Sequence, residues 1–493
     1  MTEPATLRPV RSAQVALALG AMALVLPPWF AGGVPYGHFF DDFYYYLVVV
    51  DRWLAVGEMS FFPGVETNGF QPLWFFLLTG LRLVFGESDG AVFGTLTGVI
   101  LACQLWTAWL LGALVLRVAR DPVVAGFAVL AAGYQALRIT DSGMEVALII
   151  PLLLVLLLRL DARPVETQTP SALLLTGGLI SLICLTRLDA AVLIAVLFAW
   201  PLVQRPGAAL FLSLGGALFF AYLAWMMLDF GSPLPVSGAA KQLAPFDGPS
   251  WRPALILFLM TPEALPLAAP GVVAVLGALA VRSPMRQARA CLLAVVVFYA
   301  VQATLSDWKL WFWYLYPLVP GIALAVPALL DRAPRVLRVG SSLLLSAIAL
   351  LFFAGRLDYG PYFRPIIEPL AREVAAYAAA HPGRYAMGDR AGMAAYLADQ
   401  PVLQLEGLVM DRPYLERIAR RDDLVEVLQD YGIERYVTFE TLQRDGCWLV
   451  IEPARGGPDS PRMRGRFCEP PEHQADIEDG LTFYVFQVPP REP

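Results

Sequence analysis

The chain has 493 residues, 57% apolar and 16% charged, with a mean hydropathy of +0.59 and a formal net charge of −6. An average soluble domain is about 25% charged and under half apolar, so neither an ordinary soluble enzyme nor a disordered chain fits. The charges are shared unevenly, with 40 in residues 1–356 and 38 in the much shorter stretch 357–493. The first part reads as a polytopic membrane domain and the second as a soluble domain. The second carries 23 acidic and 15 basic residues, which argues against a nucleic-acid partner. Five cysteines without a CxxC pair give no metal-finger signature.

A helix needs about 20 apolar residues to cross a bilayer. Spans are expected near 13–33, 91–116, 122–138, 143–158, 172–186, 188–203, 207–228, 266–281, 288–305, 311–330 and 336–355, about eleven in all. The first lacks a small-residue cleavage site and reads as a retained helix rather than a signal peptide. Thr186-Arg187-Leu188-Asp189 is a polar turn between two short helices. Residues 70–86 have the composition of a span, but Pro72 and Arg82 also suit a helix lying in the interface. Orientation decides between them. If 70–86 does not cross, Arg8, Arg11, Arg117, Arg120, Arg159, Arg163, Arg205, Arg282, Arg286, Arg289, Arg332, Arg335 and Arg338 share one side. By the positive-inside rule that side is cytoplasmic. The amino terminus is then inside, and residues 357–493 are outside.

This topology gathers Asp41, Asp42, Arg138, Asp141, Glu145, Arg187, Asp189, Lys241, Asp307 and Lys309 at the outer ends of helices or in outer loops. Charges at a membrane edge are costly and mark sites, although solvated helix ends also carry charge. Lys241 and Lys309 are the only lysines. In a chain that otherwise uses Arg, two retained ammonium groups on one face suggest phosphate binding. Asp41 and Asp42 open an apolar run in the first outer loop, where the helix dipole favours acid. Tyr44, Tyr45 and Tyr46 suit a site and an aromatic belt equally.

The tail beyond 357 reads as a stiff linker at Pro361, Pro365 and Pro369, then a helix at 368–380. Strands follow near 384–388, 401–405, 433–438, 447–451 and 482–487, with helices at 413–420 and 422–431. This alternation suggests a small α/β domain. Gly388 and Gly392 lack dinucleotide-binding spacing and read as a tight turn. Cys447 and Cys468, the only tail cysteines, bracket a Pro- and Gly-rich loop. In an oxidising outer compartment they are expected to pair.

Several runs together resemble the C-type (GT-C) glycosyltransferases, multispan enzymes that use lipid-linked sugar donors. These include the protein O-mannosyltransferases, the lipid A aminoarabinose transferases and the mycobacterial arabinofuranosyltransferases. Asp41-Asp42-Phe43-Tyr44-Tyr45-Tyr46 is similar to a DDAYYY-type run of bacterial members. Thr67-Asn68-Gly69-Phe70-Gln71-Pro72-Leu73-Trp74 resembles TNGYHPLW, with Phe70 and Gln71 in place of Tyr and His. Ser142-Gly143-Met144-Glu145 resembles a second-loop SGMET motif, with Val146 in place of Thr. Leu185 to Asp189, Gly231 to Pro235, Trp313 to Pro317 and Gly388 to Gly392 also fit, in order along nearly the whole chain.

The resemblance implies a GT-C fold: an α-helical membrane domain over 1–356, with interfacial helices in the first outer loop, and an extracytoplasmic α/β domain over 357–493. It implies a bacterial inner-membrane glycosyltransferase that moves a hexose or pentose from a polyprenyl-phosphate donor to a glycan, lipid or protein hydroxyl, with inversion. Asp41 matches the family's general base, and Asp42 stands in reserve. Lys241, Lys309, Arg138 and Arg187 are the cations available for the leaving phosphate. Glu145 and Asp141, with Asn68 and Gln71, are left to bind acceptor or orient Asp41, and a divalent cation at the acids stays open. A lipid transporter without transferase activity is the competing reading. Transporters favour internal repeats and mid-span charge, and this chain shows neither. A membrane receptor working through its tail is a further one.

Overall fold

The computed structural model describes residues 7–30, 32–140, 142–243, 265–279, 286–306, 308, 310–331, 333–334, 336, 339–340, 364–454, 460–477 and 481–491. Asp141, Asp307, Lys309, the expected span 336–355 and the 356/357 boundary lie outside the described residues or reach beyond them. The membrane part begins with α1 (Leu7–Val25) and the short α2 (Pro27–Phe30). The first loop holds α3 (Asp41–Val56), a hairpin of β1 (Ser60–Phe62) and β2 (Val65–Glu66), and α4 (Pro72–Phe85). Then come α5 (Asp89–Val118), α6 (Pro122–Thr140), α7 (Val146–Ala162), α8 (Pro170–Thr186), α9 (Ala191–Gln204), α10 (Ala208–Gly215), α11 (Ala217–Phe230) and α12 (Val236–Ala240). Helices α13 (Leu265–Leu279), α14 (Arg286–Leu305) and α15 (Leu318–Leu330) follow.

Among the described residues four helices are long and apolar enough to cross a membrane alone: Leu7–Phe30, Asp89–Val118, Pro122–Thr140 and Gln287–Leu305. The expected single span at 207–228 is instead two helices, α10 and α11, bent by 64°. The break falls at Gly215-Gly216, where Gly215 packs directly on the Leu174 backbone, and paired small residues are a recognised cause of kinks. The expected helix at 311–330 starts only at Leu318, after a 3-10 turn over Phe312–Leu315. The polar turn between α8 and α9 is present, as a 3-10 turn over Leu188–Ala190.

Helix α4 has both ends on one face of the membrane part. Near its start, Trp74 Nε1 donates to the Gly143 carbonyl at 3.1 Å, in the α6–α7 connection. Near its end, Arg82 pairs with Asp89 at 3.0 Å, at the start of α5. The opposite face collects Arg117 with Asp161 at 2.6 Å, the Arg120 amide on Asp331 at 2.8 Å, and Arg205 on the Gln168 carbonyl at 2.6 Å.

The C-terminal part is mixed. It has α16 (Arg364–Ala380), β3 (Tyr385–Met387), α17 (Ala391–Ala398), β4 (Val402–Gln404), α18 (Arg412–Arg420), α19 (Leu424–Asp430) and β5 (Arg435–Thr438). Strands β6 (Leu442–Arg444), β7 (Cys447–Glu452), β8 (Met463–Phe467), β9 (His473–Ile477) and β10 (Leu481–Gln487) follow. One sheet has the order β4-β3-β5-β10-β9, with β3 parallel to β4 and β5 and the remaining pairs antiparallel. A second, antiparallel sheet has the order β6-β7-β8. Asp411 and Asp423 cap α18 and α19 by accepting from backbone amides in their first turns. Cys447 and Cys468 are joined, 21 residues apart. Two details depart from expectation. Pro365 and Pro369 lie inside α16 rather than in a linker; Pro365 is its second residue, where an N–H needs no intrahelical partner. Strands β6, β8 and β9 have weak apolar runs, and pairing rather than composition makes them strands.

Candidate functional site

The first loop, the α6–α7 connection, the α8–α9 turn, α12 and the 312–315 turn meet in one place, with the C-terminal part above. They enclose a cavity of about 60 Å³ lined by Asp42, Tyr45, Tyr46, Gln71, Glu145, Arg187, Lys241 and Tyr314, among others. Leu408 and Val409 of the C-terminal part close it.

Each polar wall is locked by a neighbour. Tyr46 donates to Glu145 Oε2 at 3.2 Å, and its oxygen accepts the Gln71 amide at 3.2 Å. Gln71 Oε1 accepts the Leu188 amide at 3.1 Å. Asn68 Oδ1 accepts the Val236 amide at 2.8 Å and so fixes the start of α12, which carries Lys241 at its end. Arg187 donates to Glu145 at 2.7 Å and to Asp189 at 2.8 Å, and its guanidinium lies 4.9 Å and 5.1 Å from the Tyr314 and Tyr316 ring centres. Tyr316 adds a hydroxyl on Asp189 at 3.1 Å. Lys241 Nζ, by contrast, donates to the Tyr314 hydroxyl at 3.2 Å.

The two aspartates of α3 face different ways. Asp41 does not line the cavity. Its two carboxylate oxygens accept the backbone amides of Gly392 and Met393, at 2.9 Å and 2.8 Å, at the start of α17. Asp42 does line it. Burial pushes the Asp41 carboxyl up to about 6, against the pull of the two amides. Burial pushes Asp42 up to about 7; the Lys241 ammonium pulls it down, while Asp41, Asp389 and Glu145 push it further up.

Of the other expected residues, Glu145, Gln71, Arg187 and Lys241 meet in the cavity, and Asn68 supports it from below. Arg138, in the last turn of α6, is not among the lining residues. Among the described residues, no group of three His, Cys, Asp or Glu side chains is placed to hold a metal ion. Sequence reasoning left Tyr46 open between a site and an aromatic belt, gave Tyr314 and Tyr316 no role, and passed over the Leu408-Val409 pair. The aromatic run Trp313 to Pro317 was the available signal for two of them. Nothing in residues 405–410 pointed to a site.

A second, larger cleft of about 460 Å³ adjoins the first and is lined by Glu58, Glu66, Asn68, Asp229, Asp411 and Arg412, among others. Asn68, Val236 and Met410 face the cleft, while Gly69, Ser237 and Val409, next in sequence to each, face the cavity. Three chain segments thus form a wall shared by the cleft and the cavity.

No family model matches the chain, and no curated protein sequence matches it. Solved structures do. The apo crystal structure of the Archaeoglobus fulgidus oligosaccharyltransferase aligns with a TM-score of 0.50 at 11% identity, over 87% of this chain and 69% of that one. The same enzyme with Zn and sulfate aligns with a TM-score of 0.50 at 14% identity, over 86% and 67%. ArnT from Cupriavidus metallidurans, bound to undecaprenyl phosphate, aligns at 0.45 with 12% identity, over 84% and 78%. Built around an acidic helix of the first loop, with a C-terminal part over the cavity, the chain has the GT-C fold.

Proposed function

We propose that the chain is a membrane glycosyltransferase that moves a sugar from a polyprenyl-phosphate donor to an acceptor hydroxyl at the outer face, with inversion. The observation that carries this reading is one cavity that holds a carboxylate, Asp42, with an ammonium, Lys241, that has a phenol partner. Asp42 accepts the proton of the acceptor hydroxyl as its oxygen attacks the anomeric carbon. The bond from that carbon to the phosphate oxygen breaks, and the electron pair leaves with the polyprenyl phosphate. Lys241 and the Tyr314 hydroxyl meet the growing phosphate charge. Arg187 is already matched by two carboxylates, so its part is to hold Glu145 and the tyrosines in place. Asp42 takes the role of base in preference to Asp41 because its carboxyl reaches the cavity while that of Asp41 is spent on two amides.

The polar cleft suits the acceptor. A polyprenyl chain has no use for a lining with four carboxylates, and the cleft shares a wall with the cavity that holds the carboxylate that must take the proton. The Arg-rich face is then cytoplasmic in a bacterial inner membrane. The glycosyltransferases with which the chain shares its fold supply the class; the sugar is set by the cavity walls.

The test uses the full chain in lipid nanodiscs with undecaprenyl-phosphate mannose and undecaprenyl-phosphate arabinose as hexose and pentose probes, adds a bacterial cell-envelope extract to supply the glycan, lipid and protein acceptor hydroxyls, and follows release of undecaprenyl phosphate. Release from one probe by the wild type and its loss in Asp42→Asn are expected. Equal release by Asp42→Asn, or none from either probe by the wild type, counts against the assignment.

A further inference from the structure

We infer that Asp41 is a positioning residue that docks the C-terminal domain: its carboxylate pins the start of α17 to the first loop, and this docking seats residues 405–410 as the roof of the reactive cavity. The inference rests on the proposed reading of Asp42 as the base, and it gives the C-terminal domain a part in the site.

The geometry is specific. The amides of Gly392 and Met393 have no intrahelical partners at this end of α17, and both are spent on Asp41 rather than on water. A carboxylate also meets the positive end of the helix there. The approach is so close that a Cβ on Gly392 would overlap the Asp41 carbonyl oxygen. Four residues along α3 from Asp41, Tyr45 lines the cavity, as do Asp42 and Tyr46 on the next face. Whatever fixes Asp41 therefore fixes the phase of the helix that presents Asp42.

The roof is tied to the same domain. Gln404 Oε1 accepts the Leu408 amide at 3.0 Å, and the Tyr414 hydroxyl holds the Leu405 carbonyl at 2.9 Å. The loop reaches down until a Cβ on Gly69 would overlap the Leu408 carbonyl. Loop 405–410 and α17 are both joined to the sheet of the C-terminal domain, so losing the α17 contact loosens the roof. The cavity, at about 60 Å³, is smaller than typical ligand pockets of about 300–1,000 Å³, and the roof is one of its walls.

The experiment compares hydrogen exchange over segments 390–395 and 405–410 in full-length protein in nanodiscs. Asp41→Ala is expected to raise exchange about tenfold in both segments, since two hydrogen bonds to a charged group are lost. Gly392→Ala, which keeps the carboxylate, is expected to do the same. Asp42→Asn leaves both segments unchanged. The transfer assay adds a readout that loss of structure alone would not order. Asn at 41 can still accept one amide, so Asp41→Asn retains more undecaprenyl phosphate release than Asp41→Ala. It also keeps an acidic limb in the pH profile, which belongs to Asp42 with Lys241, Asp389 and Glu145 around it, moved to lower pH because the Asp41 charge that pushes Asp42 up is gone. Wild-type exchange over 405–410 in both Asp41→Ala and Gly392→Ala overturns the docking role. Asp41→Asn that loses release as fully as Asp42→Asn, with wild-type exchange, makes Asp41 the base and overturns it too. If the wild type releases nothing from either probe, the transferase reading falls, and the exchange measurements still decide the docking role.

Discussion

Two arginines are each buried with two carboxylates, in different regions, and only one of the two borders the cavity. Arg82 meets Asp51 at 2.8 Å and Asp89 at 3.0 Å, with the Tyr396 hydroxyl at 2.5 Å. It joins α3, α4, α5 and α17. Arg187 meets Glu145 and Asp189 between two tyrosine rings. In both clusters one guanidinium is held by two carboxylates, and a cation so satisfied fixes geometry without leaving capacity for a further anion. The difference lies in what stands beside them. The partners of Arg82 are all used by one another. Beside Arg187, Asp42 and Lys241 face open volume. Buried charge therefore marks the scaffold in both regions, and groups turned toward the cavity mark the chemistry.

The sharpest way to break this comparison is Asp42→Asn. Loss of a general base lowers turnover by about 10²–10⁴-fold, and hydrogen exchange around the Arg82 cluster should not change. The pH dependence separates the two regions further. With Asp42 pushed up to about 7, turnover should fall as pH drops below 7, because the base becomes protonated. Stability runs the other way. A carboxyl raised in the folded state from its ordinary 3.8 favours folding as pH falls from about 7 toward 4, since only the folded state holds the proton in that window. The difference between wild type and Asp42→Asn in unfolding midpoint, measured at pH 5 and pH 8, reads this sign. Equal differences at the two pH values would remove the shift.

The next effect belongs to the scaffold. The Cys447–Cys468 bridge closes a loop whose chain entropy is worth about 3 kcal/mol. Labelling denatured, unreduced protein should find three reactive thiols, Cys103, Cys184 and Cys291. Five would count against the bridge and against an oxidising compartment for this domain. Arg82→Ala comes after it. Leaving one partner of a buried pair uncompensated costs about 3–5 kcal/mol when both are fully buried. Here the Asp51 side chain is 39% exposed, so about 2 kcal/mol is expected. Undecaprenyl phosphate affinity should not change.

The same contrast explains what could be read from the sequence. Long apolar runs mark α1, α5, α6 and α14, and alternation marks the strands β3, β4, β5, β7 and β10. Glu145, Arg187 and Lys241 stand out as charged groups at the outer edge and Gln71 through the resemblance of its run, and the four meet. The choice between Asp41 and Asp42 was not legible. Neighbouring helical residues point about 100° apart, and the partner that claims Asp41 is about 350 residues away in the chain. The bend at Gly215-Gly216 was hidden because each half is as apolar as a span. Leu408 and Val409 were invisible because a roof made of ordinary apolar side chains and carbonyls has no composition of its own.

Lys241→Ala carries the smallest expected effect and the finest discrimination. Its ammonium has the Tyr314 hydroxyl as a neutral partner, so its charge is available to a phosphate. A hydrogen bond to a charged group is worth about 1.5–3 kcal/mol, so undecaprenyl phosphate affinity should fall about tenfold or more, with the unfolding midpoint unchanged. Arg187→Gln is the matched control from the other side of the cavity. It leaves Glu145 buried with its main counter-charge gone, so its unfolding midpoint should fall. Titration of both variants with undecaprenyl phosphate, beside their melting curves, separates the roles. Wild-type affinity in Lys241→Ala takes that lysine out of the donor site. An Arg187→Gln protein with a wild-type melting curve and lost affinity would move phosphate binding to the guanidinium and erase the distinction between the two arginine clusters.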